Sequence, residues 1–253
     1  IAYPHSLGLL YSAFTYFCGF EVNSGEYKLM GLAPYGQPVY ADLIRDRIID
    51  IKEDGSFHLN MEYFGFLETV KMTNESFASL FGGPPRAPEE RITRREMDLA
   101  ASIQRVVEDA VLALARHARK ITEVSDLVLA GGVALNCVAN GRLQREKVFD
   151  RLWIQPAAGD AGGALGAALL ASYRHLGVRC QNHSRDSQRG SYLGPAYSSA
   201  EARAFLDREK RPYRFVENLS ERMRVVAEAL AEGHVVGYFG GRMEYGPRAL
   251  GAR

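Results

Sequence analysis

The chain has 253 residues, with 31 Lys and Arg against 30 Asp and Glu for a formal net charge of +1, and it is 47% hydrophobic and 24% charged. That balance belongs to a globular protein of one large or two smaller domains and excludes a collagenous, coiled-coil or wholly disordered chain. It supplies no electrostatic reason to expect a nucleic acid or an anionic membrane as the main partner.

From the N-terminus, Leu7, Leu10, Tyr11, Phe14 and Phe17 recur at helical spacing behind Ser6, a candidate N-cap, and predict a buried helix over Ser6 to Phe17. The segment Gly25 to Gly36 carries three glycines and Pro34 and is expected to turn sharply at both ends. A short helix follows over Tyr40 to Arg47. Ile48 to Ile51 and Ser56 to Leu59 then flank Lys52-Glu53-Asp54-Gly55 as a β-hairpin. Gly82 to Pro88 reads as an exposed loop. It precedes the clearest helix, Asp98 to Lys120, whose Leu99, Ile103, Val106, Ala110, Leu114 and Ala118 form one stripe. Asp126 to Ala130 and Leu152 to Ile154 read as buried strands. Each ends in glycines and opens a helix, the first closing at Arg142 to Lys147 and the second running over about Ala164 to His175. The polar stretch Cys180 to Gly190 is the expected linker, with domains at 1–179 and 191–253. Beyond it, Ser198 and Glu201 form a capping box for a helix to Arg208, and Glu221 to Ala231 is a second helix stopped at Gly233. His234 to Phe239 is then read as a strand.

Cys18, Cys137 and Cys180 form no Cys-x-x-Cys pair, which argues against a disulfide framework or a zinc ribbon. No run reaches the roughly 18 apolar residues of a membrane span, and no basic-then-apolar leader opens the chain. A cytoplasmic location is expected. The chain begins with Ile1 and stops within a glycine-rich motif, so it is read as a fragment of a longer protein.

Three motifs offer chemistry. In Leu127-Val128-Leu129-Ala130-Gly131-Gly132-Val133-Ala134-Leu135-Asn136, paired glycines between strand and helix let backbone N–H groups approach a phosphate or an adenosine. On spacing alone they serve equally well to pack strand on helix, and Asn136 either orients a ligand or caps its helix. Asp160, among the glycines of Gly159 to Gly163, stands where open sheets bind ligands and a carboxylate can hold a metal ion; the plainer reading is an N-cap. Gly240 to Gly251 brings Arg242, Glu244, Arg248 and a rigid Gly-Pro turn, and arginine forks match phosphate oxygens; the plainer reading has Arg242 and Glu244 solvated or paired with each other. Lys28 is an anion contact or an ordinary surface lysine. His5, His117 and His175 lack metal-ligand spacing and receive no role.

Taken together, Ser6 to Thr15, Gly25 to Gly36, Ala130 to Asn136, Gly159 to Gly166 and Gly240 to Gly251 resemble the O-carbamoyltransferases of the nodulation-factor and antibiotic-tailoring type, the NodU/CmcH family. The resemblance implies an α/β fold: the C-terminal portion of an actin/sugar-kinase/Hsp70-like (Kae1-like) domain, followed by the start of a YrdC-like domain. It implies that carbamoyl phosphate and ATP form a carbamoyl adenylate, whose carbamoyl group passes to a hydroxyl of a small molecule or glycan. A homodimer is compatible with it. By this likeness Gly131, Gly132 and Asn136 lie in the nucleotide loop, and Lys28 is the further cofactor-binding candidate, as an anion contact. Asp160 completes an iron-type metal site, with magnesium accompanying ATP, and Arg248 binds carbamoyl phosphate. The family's His-x-x-x-His metal pair is absent here, so the fragment alone is expected to be inactive. The competing readings are a phosphotransferase or ATPase of the same fold, with Asp160 on magnesium, and a non-catalytic nucleotide-binding module.

Overall fold

The computed structural model describes residues 1–179, 186 and 188–252, and it is a mixed α/β structure with small sheets. The chain divides into two compact units, Ile1–Gln155 and Pro156–Arg253. The expected linker at 180–190 falls for the most part outside the described residues, as does Cys180.

In the first unit, helix α1 (Leu7–Phe17) starts as predicted, the Ser6 hydroxyl accepting the Leu9 N–H at 3.2 Å. Helix α2 (Glu26–Leu32) occupies a segment whose glycines read as turns. Gly25 serves as its N-cap, and Leu29 and Leu32, three apart, are buried. Burial of that face outweighs the propensity cost of Gly31. Helix α3 (Ala41–Arg47) and the antiparallel hairpin β1 (Ile49–Ile51) and β2 (Phe57–Leu59) form where expected, with Asp50 opposite His58. Helix α4 (Glu75–Leu80) is capped by Asn74, whose side chain accepts the Phe77 N–H.

The core between α1 and α4 is aromatic. Phe14, Phe17, Phe77 and Phe81 are buried, with Phe14 edge-on to Phe77 at 5.1 Å and Phe17 edge-on to Phe77 at 4.9 Å. Each such ring contributes about 1.5–3 kcal/mol by burial, and each edge-on pair about 0.5–1.5 kcal/mol more.

Helix α5 (Arg94–Thr122) begins four residues before the apolar stripe suggested. The Glu96 carboxylate accepts both the Thr93 N–H and the Thr93 hydroxyl, closing the first turn. Leu99, Ile103, Val106 and Ala110 of the predicted stripe are buried, and α5 contacts α1, α2, α3 and α6 (Cys137–Arg145). Strands β3 (Asp126–Leu129) and β4 (Arg151–Ile154) pair in parallel, with Val128 opposite Trp153. Leu127, Leu129 and Leu152 pack with Leu112, Leu143 and Phe149, while Val128 and Trp153 are exposed on the other face.

The second unit holds α7 (Asp160–Leu170), α8 (Ser199–Arg208) and α9 (Leu219–Ala231). The Ser198–Glu201 capping box forms, and Gly233 stops α9 with a φ of +83°. The strand expected at His234 to Phe239 does not form. A strand persists through its ladder partner, and these residues pair with no strand among the described residues; Val235 is fully exposed.

In neither unit, among the described residues, is there a helix long and apolar enough to cross a membrane.

Candidate functional site

The first glycine junction leaves β3 at its C-terminal end. Gly131 has φ +99°, a conformation that L side chains rarely adopt, and it precedes a 3₁₀ turn over Gly132–Leu135. A Cβ built on Gly131 or Gly132 would meet nothing within 4 Å. Close packing of strand on helix is therefore not what these glycines serve. Their open, exposed backbone suits approach by a ligand.

Asn136 ends this turn and caps α6. Its Oδ1 accepts the Ala139 N–H at 3.0 Å. It is also buried in a network that the sequence did not disclose. Asn136 and Gln104 exchange two amide hydrogen bonds, Nε2 to Oδ1 at 3.1 Å and Nδ2 to Oε1 at 3.0 Å. Gln104 Oε1 also accepts the Tyr11 hydroxyl at 2.9 Å, and its Nε2 donates to Glu108 at 3.0 Å. Burial, aided by nearby acidic groups including Glu108, pushes the Tyr11 phenol far above its ordinary range, which keeps it a neutral donor. The Gly131–Leu135 turn is thus anchored through α5 to α1. Pairs this far apart in sequence leave no local pattern.

Below the turn, Asp109 accepts from Arg45 and from Arg142, the latter at 2.5 Å, joining α3, α5 and α6. Burial alone would raise the Asp109 pKa, but the hydrogen bonds from Arg142 and Arg45 together with the charges of Arg142 and Arg105 outweigh it and hold the carboxyl below its usual range.

Lys28 is exposed on α2 and lines a groove of about 1180 Å³ with Tyr16, Phe20, Glu21, Phe64 and Lys71. Residues 130–137 do not line that groove. Arg86, also at this groove, is buried within the glycine- and proline-rich loop. It donates to the carbonyls of Cys18 (2.7 Å) and Gly19 (3.1 Å) at the end of α1 and to that of Glu90, with its guanidinium 5.3 Å from the Phe20 ring centroid.

In the second unit, Asp160 is the first residue of α7 and is exposed; Gly159, not Asp160, holds the N-cap position. Among the described residues no three His, Cys, Asp or Glu side chains gather in a metal-binding group.

The arginine motif forms a loop whose ends meet, Gly240 N–H donating to Ala252 C=O at 2.8 Å. Glu244 is neither solvated nor paired with Arg242. It is buried, and its Oε1 accepts the N–H groups of Leu250 (2.7 Å) and Ala252 (2.8 Å), while Arg242 donates to Gly194 C=O at 2.6 Å. The Tyr245 hydroxyl donates to Ala161 C=O, so the loop touches the first turn of α7. Arg248 is half-buried within the loop.

Family models bear on both ends of the chain. One described as Carbamoyltransferase N-terminus matches residues 1–169, which include Lys28, Gly131, Gly132, Asn136 and Asp160. One described as Carbamoyltransferase C-terminus matches residues 227–253, which include Arg248. Uncharacterized protein sll1178 of Synechocystis sp. is 55% identical over 260 residues, 100% of this chain and 41% of that protein. Nodulation protein NolNO of Sinorhizobium fredii is 36% identical across 98% of this chain and 34% of its own length. Nodulation protein NolO of Bradyrhizobium diazoefficiens is 33% identical across 100% of this chain and 44% of its own length. The chain spans less than half the length of these relatives.

Proposed function

Because this chain belongs to the carbamoyltransferase family, we propose that it is part of an O-carbamoyltransferase acting on a hydroxyl of a small molecule or glycan. In this reading carbamoyl phosphate, ATP and water give carbamoyl adenylate, pyrophosphate and phosphate. The acceptor hydroxyl then attacks the carbamoyl carbon, forming the O-carbamoyl ester and releasing AMP. The first unit would belong to a Kae1-like transfer domain and the C-terminal motif to the start of a YrdC-like activating domain. The observation that carries the nucleotide part is the open Gly131–Gly132 turn at the C-terminal end of a parallel strand.

The residue roles follow from their chemistry. Backbone N–H groups of the turn face the nucleotide phosphates, and Asn136 holds the turn in place. Lys28 is the second cation offered to the anionic reactants. Arg248 forks two oxygens of carbamoyl phosphate, and its fixed charge offsets the negative charge that accompanies phosphate release.

A bound metal would stabilise developing negative charge as a Lewis acid. Of its ligands this chain would supply Asp160. One exposed carboxylate does not make a metal site, and the described residues gather no set of three.

The test uses the full-length protein with carbamoyl phosphate and ATP, followed by mass spectrometry. Carbamoyl adenylate and pyrophosphate should form, and should form much more slowly in Arg248→Ala at the same carbamoyl phosphate concentration. Release of ADP without the adenylate would replace this reading with a kinase or ATPase of the same fold, with Asp160 as its magnesium ligand.

A further inference from the structure

The geometry points to Glu244 as the positioning residue for Arg248, an inference that deepens the proposed function and rests on its assignment of Arg248. The chain from Gly240 to Ala252 closes on itself through the Gly240 N–H to Ala252 C=O bond. Within it, one oxygen of the Glu244 carboxylate gathers the N–H groups of Leu250 and Ala252, at 2.7 and 2.8 Å. Those donors lie two and four residues beyond Arg248, and Glu244 lies four before it. The carboxylate therefore fastens both arms of the bend that carries the guanidinium.

Glu244 is only 4% exposed, so water cannot readily replace it as the acceptor for these two donors. The outer side of the loop is fixed independently. Gly194 N–H donates to Met243 C=O at 2.9 Å, Met243 N–H to Pro195 C=O at 2.9 Å and Tyr245 N–H to Ser191 C=O at 2.7 Å. These bonds hold the residues on either side of Glu244 but nothing beyond it. Among the contacts that hold the arm from Pro247 to Ala252 are the carboxylate, the Gly240 bond and a long contact from the Tyr192 hydroxyl to Leu250 C=O at 3.4 Å. Without Glu244 that arm loses two of its backbone restraints, and more of the ordering of Arg248 must be done when the anion binds. A pre-ordered fork avoids that entropic cost. The predicted signature is weaker binding of carbamoyl phosphate with the chemistry left intact.

The experiment compares the full-length protein with Glu244→Ala, Glu244→Gln, Arg248→Ala and the Glu244→Ala/Arg248→Ala pair. Hydrogen exchange reads the Leu250 and Ala252 amides, and initial rates give KM for carbamoyl phosphate and kcat. Glu244→Ala should speed exchange at both amides while leaving α9 protected, and raise KM about tenfold or more with kcat little changed, the size expected for losing charge-assisted bonds. Glu244→Gln keeps an acceptor oxygen and should recover part of the loss. On the Arg248→Ala background, Glu244→Ala should add little further to KM. Unchanged exchange in Glu244→Ala, or an equal KM penalty with and without Arg248, overturns the inference while leaving Arg248 as the anion ligand. An Arg248→Ala variant with unchanged KM for carbamoyl phosphate overturns the assignment of Arg248 and this inference with it, even where exchange at Leu250 shows that Glu244 pins the loop.

Discussion

Asn136→Asp separates two roles that one side chain plays. Asp is as good an N-cap as Asn, and a negative charge at a helix N-terminus is favourable by about 0.3–1 kcal/mol, so capping alone predicts no loss of stability. The structure predicts otherwise. Asn136 is 8% exposed, and its Nδ2 donates to Gln104 Oε1, which already accepts the Tyr11 hydroxyl. The substitution deletes that donor, worth about 1 kcal/mol, and sets a buried carboxylate oxygen against an acceptor, at a further desolvation cost of about 1–3 kcal/mol. Flipping the Gln104 amide does not help, because its Nε2 is needed by Glu108 and by Asn136 Oδ1.

After the dipole gain, the net loss should be about 1–3 kcal/mol, or roughly 2–12 °C in Tm at this chain length. Asn136→Ala should lose a similar amount by a different route, about 1 kcal/mol from the cap and the rest from unpaired amide groups. Urea unfolding at several pH values distinguishes the two variants. The introduced carboxyl, buried against an acceptor, has a folded-state pKa above its unfolded one, so its penalty is present at neutral pH and shrinks as pH falls and the group becomes a donor. The alanine variant has no such dependence. An Asn136→Asp protein as stable as the parent at pH 7 would refute the claim that the Gln104 pair anchors this turn.

Further predictions follow from the same structure. Gly131→Ala should cost about 1–3 kcal/mol through its positive φ and raise the KM for ATP, whereas Gly132→Ala, with open space and no such φ, should leave stability nearly unchanged; paired Tm and ATP titrations decide, and equal effects would contradict the backbone argument. The folded-state pKa of Asp109 lies below its unfolded value, so its contribution is full above the ordinary carboxylate range and is lost as pH falls through the lower folded value. Asp109→Asn should accordingly flatten that part of the acid limb in stability measured from pH 5 to pH 2. Burial pushes the Cys18 thiol up to about 12, while Cys137 is exposed, so iodoacetamide at pH 8 should label Cys137 and spare Cys18 in the native protein, as peptide mass mapping would show.

The elements read best from sequence were those whose signals are local. Ser6, and Ser198 with Glu201, mark helix starts because a cap acts within three residues. The β1–β2 hairpin followed from its turn. The start of α5 was missed although Thr93 and Glu96 carry the same kind of signature, because the apolar stripe begins only at Leu99. Helix α2 was obscured by glycines that count for less than two buried leucines. His234 to Phe239 shows the converse limit: a short run of β-branched and aromatic residues suits a strand and says nothing about whether a neighbour is present.

At the candidate site, a glycine turn at Gly131 was legible, but its openness was not, since the spacing suited close packing of strand on helix equally well. The Gln104 partner of Asn136, 32 residues away, was not. Glu244 was visible as a residue, yet its part in closing the loop depends on backbone donors that carry no sequence identity.

The loop from Gly82 to Pro88 has the composition that proteases ordinarily find first. Arg86 changes that expectation. An arginine-directed protease must draw the guanidinium into its own specificity pocket, and here that means releasing the carbonyls of Cys18, Gly19 and Glu90 and uncovering the end of α1. Arg91, five residues on, is exposed and makes no such demand. Limited digestion of the native protein should therefore sever the segment after Arg91 while the bond after Arg86 survives, so the nick falls outside the glycine- and proline-rich stretch and leaves the α1 terminus sealed.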